Sequence, residues 1–421
     1  MSPKSNLLLR NRDFRLVWIG QVLSQAGSRA FFINLLWWII SSASVGPGER
    51  HATAWASGIL LILMGLPSVL FVRWIGEILE RYASQKILVF CEASGALLSL
   101  LVFGLSVTGN LSLGWVYTLS GLIALCQAFV DPTLVKAVPE LVDESDIEAA
   151  VGLESTTQAL AFFSGAAIGA IASGVFGFSA TTALNAISYF VSAVMTSRAR
   201  FRSSSISRNK EEANSSTINS AKPQDGFAVD VGPLLKAFGV ANVFMFPLFL
   251  ILPLFVKESL QGSVIMLGLL EACFWFGLVA GANQAWRLDA KGRFMRLSGI
   301  LFFLFGAMIC SIAINPSVVW VAVVLVCGGI SAGLVNVKVI TYFQIAVPES
   351  ARASFFARLQ AYVAGAQPLS YLLFTGVLLF LSPVNSFAVS GVGLVIVGAF
   401  CWWYDRRVNR LTAKKSGRAS Q

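Results

Sequence analysis

Charge is scarce in this chain and histidine almost absent: of 421 residues, 12% are Asp, Glu, Lys or Arg, and His51 is the single histidine. Soluble domains carry about a quarter charged residues, so this shortfall excludes an ordinary water-soluble fold. The six cysteines, at 91, 126, 273, 310, 327 and 401, lie within or at the edge of apolar runs and form no CxxC pair. With one histidine beside them, no metal-ligand cluster and no cofactor are expected. A phosphate-cradling P-loop is also missing, which argues against ATP-driven pumping. His51 sits between two apolar runs and reads as a solvated side chain, so no catalytic residue is nominated and the chain is not read as an enzyme.

Apolar residues supply what charge does not, at 56% of the chain. A bilayer-crossing helix needs about 20 mostly apolar residues, and runs of that length recur with polar or Gly/Pro-containing breaks between them. They are too long for barrel strands of about 10 alternating residues. The spacing predicts spans near 14–40, 54–79, 86–107, 113–137, 151–177 and 180–197, then near 231–256, 263–286, 294–314, 318–345, 355–381 and 385–404. The expected fold is therefore all-α integral membrane, with twelve transmembrane helices.

One long polar stretch, 198–230, divides them. It is rich in Ser, Asn, Lys and Arg and cannot bury enough apolar surface to fold alone. The expected organisation is a six-helix half over 1–197, a flexible linker over 198–230, a second six-helix half over 231–404 and a basic tail over 405–421.

The net charge of +10 follows the loops rather than marking a nucleic-acid binder. Lys4, Arg10, Arg12 and Arg15, then Arg73, Arg81 and Lys86, the linker's basic residues, Arg287, Lys291, Arg293 and Arg296, Arg352 and the tail all fall on one side of the expected topology. The other side holds Arg50 and Lys257. Basic residues collect in cytoplasmic loops, so both termini and the linker are expected there.

The halves also echo one another. Val138-Pro139-Glu140 closes the fourth span and Val347-Pro348-Glu349 the tenth, each followed by a short charged stretch and a new helix. Between the second and third spans, Gly76-Glu77-Ile78-Leu79-Glu80-Arg81-Tyr82-Ala83-Ser84-Gln85-Lys86 keeps a Gly, an acid, an Arg and a later base. The chain here resembles the major facilitator superfamily, whose loop motif reads Gly-x-Leu-x-Asp-Arg-x-Gly-Arg-Arg/Lys, and the resemblance covers nearly all of it. It implies two pseudo-symmetric halves related by an axis along the membrane normal. Gly76, Glu80, Arg81 and Lys86 would form a cytoplasmic gate, with Glu92 as a buried partner for Arg81 or Lys86.

The opening Asn11 to Gln21 with Ser24-Gln25-Ala26-Gly27, and Asp131-Pro132 followed by Pro139-Glu140-Leu141-Val142, are similar to the bacterial exporter branch that includes enterobactin and macrolide exporters. Lysophospholipid transporters are relatives of that branch. Exporters of this group carry an acid after the glycine of the first span, where this chain has Ser28 and Arg29, and the fifth span lacks the proline of the antiporter motif.

Charges inside apolar spans are site candidates by default, because an unpaired one at the bilayer centre costs roughly 3 kcal/mol or more. Arg29 is the most central, with Gln25 one turn before it and Asn34 beyond it, a partial polar stripe. By the resemblance, this stripe would face the central cavity. Glu271 is the buried acid of the second half. Asp131 and Lys136 in the fourth span, and Asn336 and Lys338 in the tenth, lie toward the cytoplasmic side, where Asp131 and Lys338 would pair as the gate closes.

The leading expectation is a monomeric secondary transporter of the bacterial plasma (inner) membrane, exporting a small amphipathic metabolite, siderophore or drug by alternating access with proton antiport. Its partners would be the small-molecule substrate and membrane lipids. Two alternatives stay open: a lysophospholipid or lipid flippase entered between the second and eleventh helices, and a scaffold or sensor that kept the fold without transporting.

Overall fold

The computed structural model describes residues 3–42, 49–202, 231–288 and 294–419, and among them all regular structure is helical. Most of the polar linker, 203–230, lies outside the described residues, as do Lys291 and Arg293. The first group of helices comprises α1 (Pro3–Arg10), α2 (Arg12–Ser42), α3 (Glu49–Leu70), α4 (Val72–Arg81), α5 (Ser84–Val107), α6 (Leu113–Leu141) and α7 (Ile147–Arg198). The second comprises α8 (Gly232–Met245), α9 (Leu248–Glu258), α10 (Val264–Gln284), α11 (Phe294–Ser311), α12 (Val318–Ala346), α13 (Glu349–Phe380) and α14 (Pro383–Ala419). The last runs past the expected end of the apolar span, so the basic tail begins as helix.

Ten helical stretches of the described residues are long and apolar enough to cross a membrane, which makes this a multi-pass membrane protein. One of them, Leu160–Arg198, is a single 39-residue stretch. It is turned inside α7 by Gly177, whose φ of 81° is open only to a residue without a Cβ. The polar content of α2 keeps it out of the ten, yet its 31 residues rise about 46 Å at 1.5 Å each, more than the hydrocarbon core of about 30 Å.

Proline breaks fewer helices than the sequence suggests. Pro247 follows Met245 at the α8–α9 interruption, and Pro67 precedes the one-residue break at Phe71 by a turn. Pro253 and Pro368 stay inside continuous helices.

The two groups share one apolar core, reaching from Phe31 in α2 through Phe255 and Phe305 to Cys401 in α14. A second cluster joins Leu7, Phe14, Leu88, Leu134 and Ala199 within the first group. Small residues set how closely the helices meet. A Cβ on Gly165 of α7 would collide with Ala26 O in α2, within the first group, and one on Gly268 of α10 with Ala170 Cβ and Ala166 O in α7, across the two groups. Backbones this close are the ordinary means of packing helices in lipid, where no hydrophobic drive favours association.

Contacts between the groups cluster toward one end of the molecule. His51 Nε2 lies 2.8 Å from Leu379 O, Lys257 Nζ sits 5.6 Å from the Trp37 ring, Gly58 packs on Thr375, and Gly174 on Ile265. The opposite end is tied within the first group: Arg10 pairs with Asp146, Asn11 Nδ2 donates to Leu141 O at 2.8 Å, and Gln85 Nε2 donates to Ala199 O at 2.8 Å. There Val135 of α6 and Ile345 of α12 are 72% and 74% exposed.

Candidate functional site

Arg29 stands in the middle of α2, and Glu271 two turns into α10. Arg29 Nη2 donates to Glu271 Oε2, with the two side chains 10% and 1% exposed. A charge taken this far from water survives only with a partner and further favourable contacts. Four aromatic rings supply the latter: the guanidinium carbon lies 5.0 Å from the Phe32 ring centroid, 5.1 Å from Phe249, and 5.6 Å from both Phe162 and Trp275. The rings hold one another, Phe249 stacking on Trp275 at 5.7 Å and Phe162 meeting it at 4.5 Å. Such a contact contributes about 0.5–1 kcal/mol at an exposed site and about 2 kcal/mol when desolvated.

The pair and its cage draw on α2, α7, α9 and α10, and so on both groups of helices. Tyr371 of α13 is 2% exposed, hydrogen-bonds Gln367 and lies within electrostatic reach of both Arg29 and Glu271. Among the described residues three buried donors around the site have no acceptor: Gln25 Nε2, Arg29 Nε and Trp275 Nε1. Orphaned donors are costly, and a molecule bearing acceptor oxygens would satisfy them.

The sequence profile of the Major Facilitator Superfamily matches residues 17–370. The chain belongs to the major facilitator superfamily. Its fold is similar to that of a peptide transporter POT, crystallised in complex with sulfate, with a TM-score of 0.70 at 12% identity over 98% of this chain and 99% of that one. It is also similar to a bacterial homologue of the human lysosomal transporter Spinster in an inward-facing, occupied conformation, with a TM-score of 0.66 at 15% identity over 97% and 98%. A D-xylose–proton symporter aligns with a TM-score of 0.68 at 11% identity over 93% and 97%. No curated protein matches the chain significantly by sequence. Superfamily membership makes this a transporter rather than an enzyme.

The other expected site residues of this superfamily member divide sharply. Gln25 lies a turn below Arg29 and is buried beside it. Asn34 is not on that face: five residues at 100° each place it about 140° away, and its Nδ2 donates to Ala30 O at 2.7 Å and Gly169 O at 3.1 Å. It binds α2 to α7 rather than lining a cavity. Asp131 is exposed at the surface of α6 and accepts from Gln158 Nε2 at 3.4 Å, with Glu154 near enough to interact electrostatically. Asn336 is exposed and Lys338 half-buried, and no ion pair joins Lys338 to Asp131 among the described residues.

The loop motif is equally open. A Cβ on Gly76 would meet nothing within 4 Å, so among the described residues no helix packs on it in this state. Glu80, Arg81 and Lys86 are exposed. Glu92 is not their partner. It is fully buried against α2, where Gln21 Nε2 donates to Oε1 at 2.9 Å and Ser24 Oγ to Oε2 at 2.8 Å. Lys86 lies more than a turn and a half before it in α5 and Arg81 ends α4, while the Glu92 side chain faces inward. Lys136 caps the end of α4 instead of facing a cavity, donating to Leu79 O and to Tyr82 O, the latter at 3.0 Å.

Sequence reasoning missed Phe162, Phe249, Gln367 and Tyr371, since nothing separates a cage ring from a core ring in one sequence. Arg29 and Glu271 each had a signal, a single charge deep in an apolar run, although nothing in the sequence paired them.

Proposed function

We propose that this protein is a secondary active transporter of twelve spans in two six-helix halves, divided by the 198–230 linker. It would export a small amphipathic molecule from the bacterial cytoplasm by alternating access, with proton coupling at Glu271. Two features support the twelve-span count: the length of α2 and the turn at Gly177 within α7. Contacts between the halves gather at the end bearing Trp37, His51 and Lys257, which the loop charges assign to the outside. This state is accordingly inward-open.

The observation that carries the reading is the Arg29–Glu271 pair, caged by aromatic rings where the halves meet. Cargo that takes one member of the pair strands the other, so cargo charge and proton binding are linked. A cargo whose acceptor takes Arg29 leaves Glu271 needing a proton, and proton and cargo then bind together. A cargo that also carries a positive group satisfies Glu271 itself and excludes the proton, which is antiport. Export driven by an inward proton gradient therefore calls for an amphipathic cargo with both an acceptor and a positive group.

Proteoliposomes with an imposed pH gradient test this. Wild-type protein is expected to exchange protons for a zwitterionic amphipath, and Glu271→Gln to carry out cargo counterflow without responding to the gradient. Unchanged coupling in Glu271→Gln removes Glu271 from the mechanism.

A further inference from the structure

Among the described residues Glu92 is the other fully buried acid, and no cation there answers it. Its carboxylate is 0% exposed, and its partners are Gln21 Nε2, Ser24 Oγ and Ser192, all neutral. The groups facing it from each packed element are likewise without positive charge: Gln21, Ser24 and Ser28 from α2, Cys91 beside it in α5, Cys126 and Gln127 from α6, Tyr189 and Ser192 from α7. An ionised carboxylate in such a place is strongly disfavoured unless a cation joins it.

Close packing on its α2 and α7 sides leaves little room there for a cation larger than a proton. Around Glu92 the helices touch closely: a Cβ on Gly20 would lie 3.2 Å from Ser192 Oγ, one on Gly95 3.1 Å from the Tyr189 ring, and one on Gly27 would collide with Ser188.

Gln21 is built to serve both protonation states. Its Nε2 donates to the carboxylate, while its Oε1 is buried without a partner. Turning the amide over presents Oε1 to a protonated Glu92 as acceptor. On the same side of α2, Ser28 Oγ lies 2.9 Å from Tyr189 OH, and Gln127 Nε2, from a half-buried residue, donates to that tyrosine oxygen at 3.0 Å.

We propose that Glu92 is a second proton-binding site of this transporter, separate from Glu271 and enclosed within the first group of helices. Gln21, Ser24 and Ser28 form one face of α2, about a quarter turn from the face bearing Gln25 and Arg29. A proton at Glu92 thus changes how α2 is held to α5 and α7, and α2 carries the cargo-site arginine. The coupling to cargo rests on the transport reading above; the binding of a proton does not.

The test is a proton count on the purified full-length protein in nanodiscs, by pH jump with an indicator dye, together with the infrared carbonyl band of protonated carboxylic acids. Glu92→Gln is expected to take up one fewer proton than wild type and to lose one component of that band, and Glu271→Gln to lose a different one. Because Glu92→Gln could perturb folding, Ser24→Ala provides the second arm: it keeps the carboxyl but removes a donor, and the midpoint of the Glu92 component is expected to shift. An unaltered proton count and band in Glu92→Gln, or an unmoved midpoint in Ser24→Ala, overturns the proposal. A protein that moves no cargo yet shows the Glu92 signal would sink the transport reading and leave this one standing.

Discussion

Arg29 of α2 and Glu271 of α10 pair across the junction of the two helix groups, 242 positions apart in the chain. Removing one partner leaves a buried charge alone, at a cost of about 3–5 kcal/mol, whereas replacing both with apolar residues of similar volume is often neutral. Arg29→Met and Glu271→Leu are each expected to lower the melting temperature in detergent, and the double variant to recover most of the loss while remaining unable to transport. Additive losses in the double variant would mean the pair is not a coupled unit.

Trp275 stacks on Phe249, lies over the Arg29 guanidinium and carries an unpaired Nε1. Trp275→Phe keeps a ring and deletes the donor. It is expected to leave folding intact and to weaken cargo binding about three- to tenfold, the equivalent of one lost hydrogen bond of about 1 kcal/mol. Trp275→Ala also removes the cation–π contact and should lose more. Equal affinities for wild type and Trp275→Phe would show that Nε1 does not reach the cargo.

Solvent access follows from the closed and open ends. In a background lacking the six native cysteines, Val135→Cys and Ile345→Cys, at positions 72% and 74% exposed, are expected to react with a bulky membrane-impermeant maleimide applied from the cytoplasmic side. Leu36→Cys, at a site 1% exposed, should not react from either side. Fast labelling from the outside at 135 or 345 would reverse the orientation given by the loop charges.

Much of this architecture was legible in the sequence, for definite reasons. Runs of helix length announce themselves by composition, and Gly177 fell at the expected boundary between the 151–177 and 180–197 spans because a chain reversal needs a residue free of Cβ strain. Arg29 and Glu271 stood out singly, since a charge in an apolar run is conspicuous. Their pairing was not legible, because it depends on how α10 rotates against α2 once Gly165 and Gly268 let the backbones close. Glu92 shows the same limit. Chain proximity suggested Arg81 and Lys86, but the helix period turns it toward Gln21 and Ser24, which lie 71 and 68 positions away. Asn34 was misplaced by one residue of helical phase, for i+5 leaves the face that i+4 shares.

Gly76 separates stability from transport. In this state a Cβ there meets nothing within 4 Å, and the residue lies inside α4, where glycine is intrinsically poor. Gly76→Ala should therefore leave the melting temperature unchanged or raise it, by the roughly 0.5–1 kcal/mol that distinguishes the two residues in a helix interior. In the alternating-access reading the open end must close, and the motif that begins at Gly76 is expected on the surface so covered. Gly76→Leu is accordingly expected to fold normally and slow turnover several-fold, with the protein held in the inward-open state and Val135→Cys labelling as fast as in its parent. If Gly76→Leu transports at the wild-type rate, no helix closes on this glycine at any point in the cycle, and the motif's role must lie with Glu80, Arg81 and Lys86 instead.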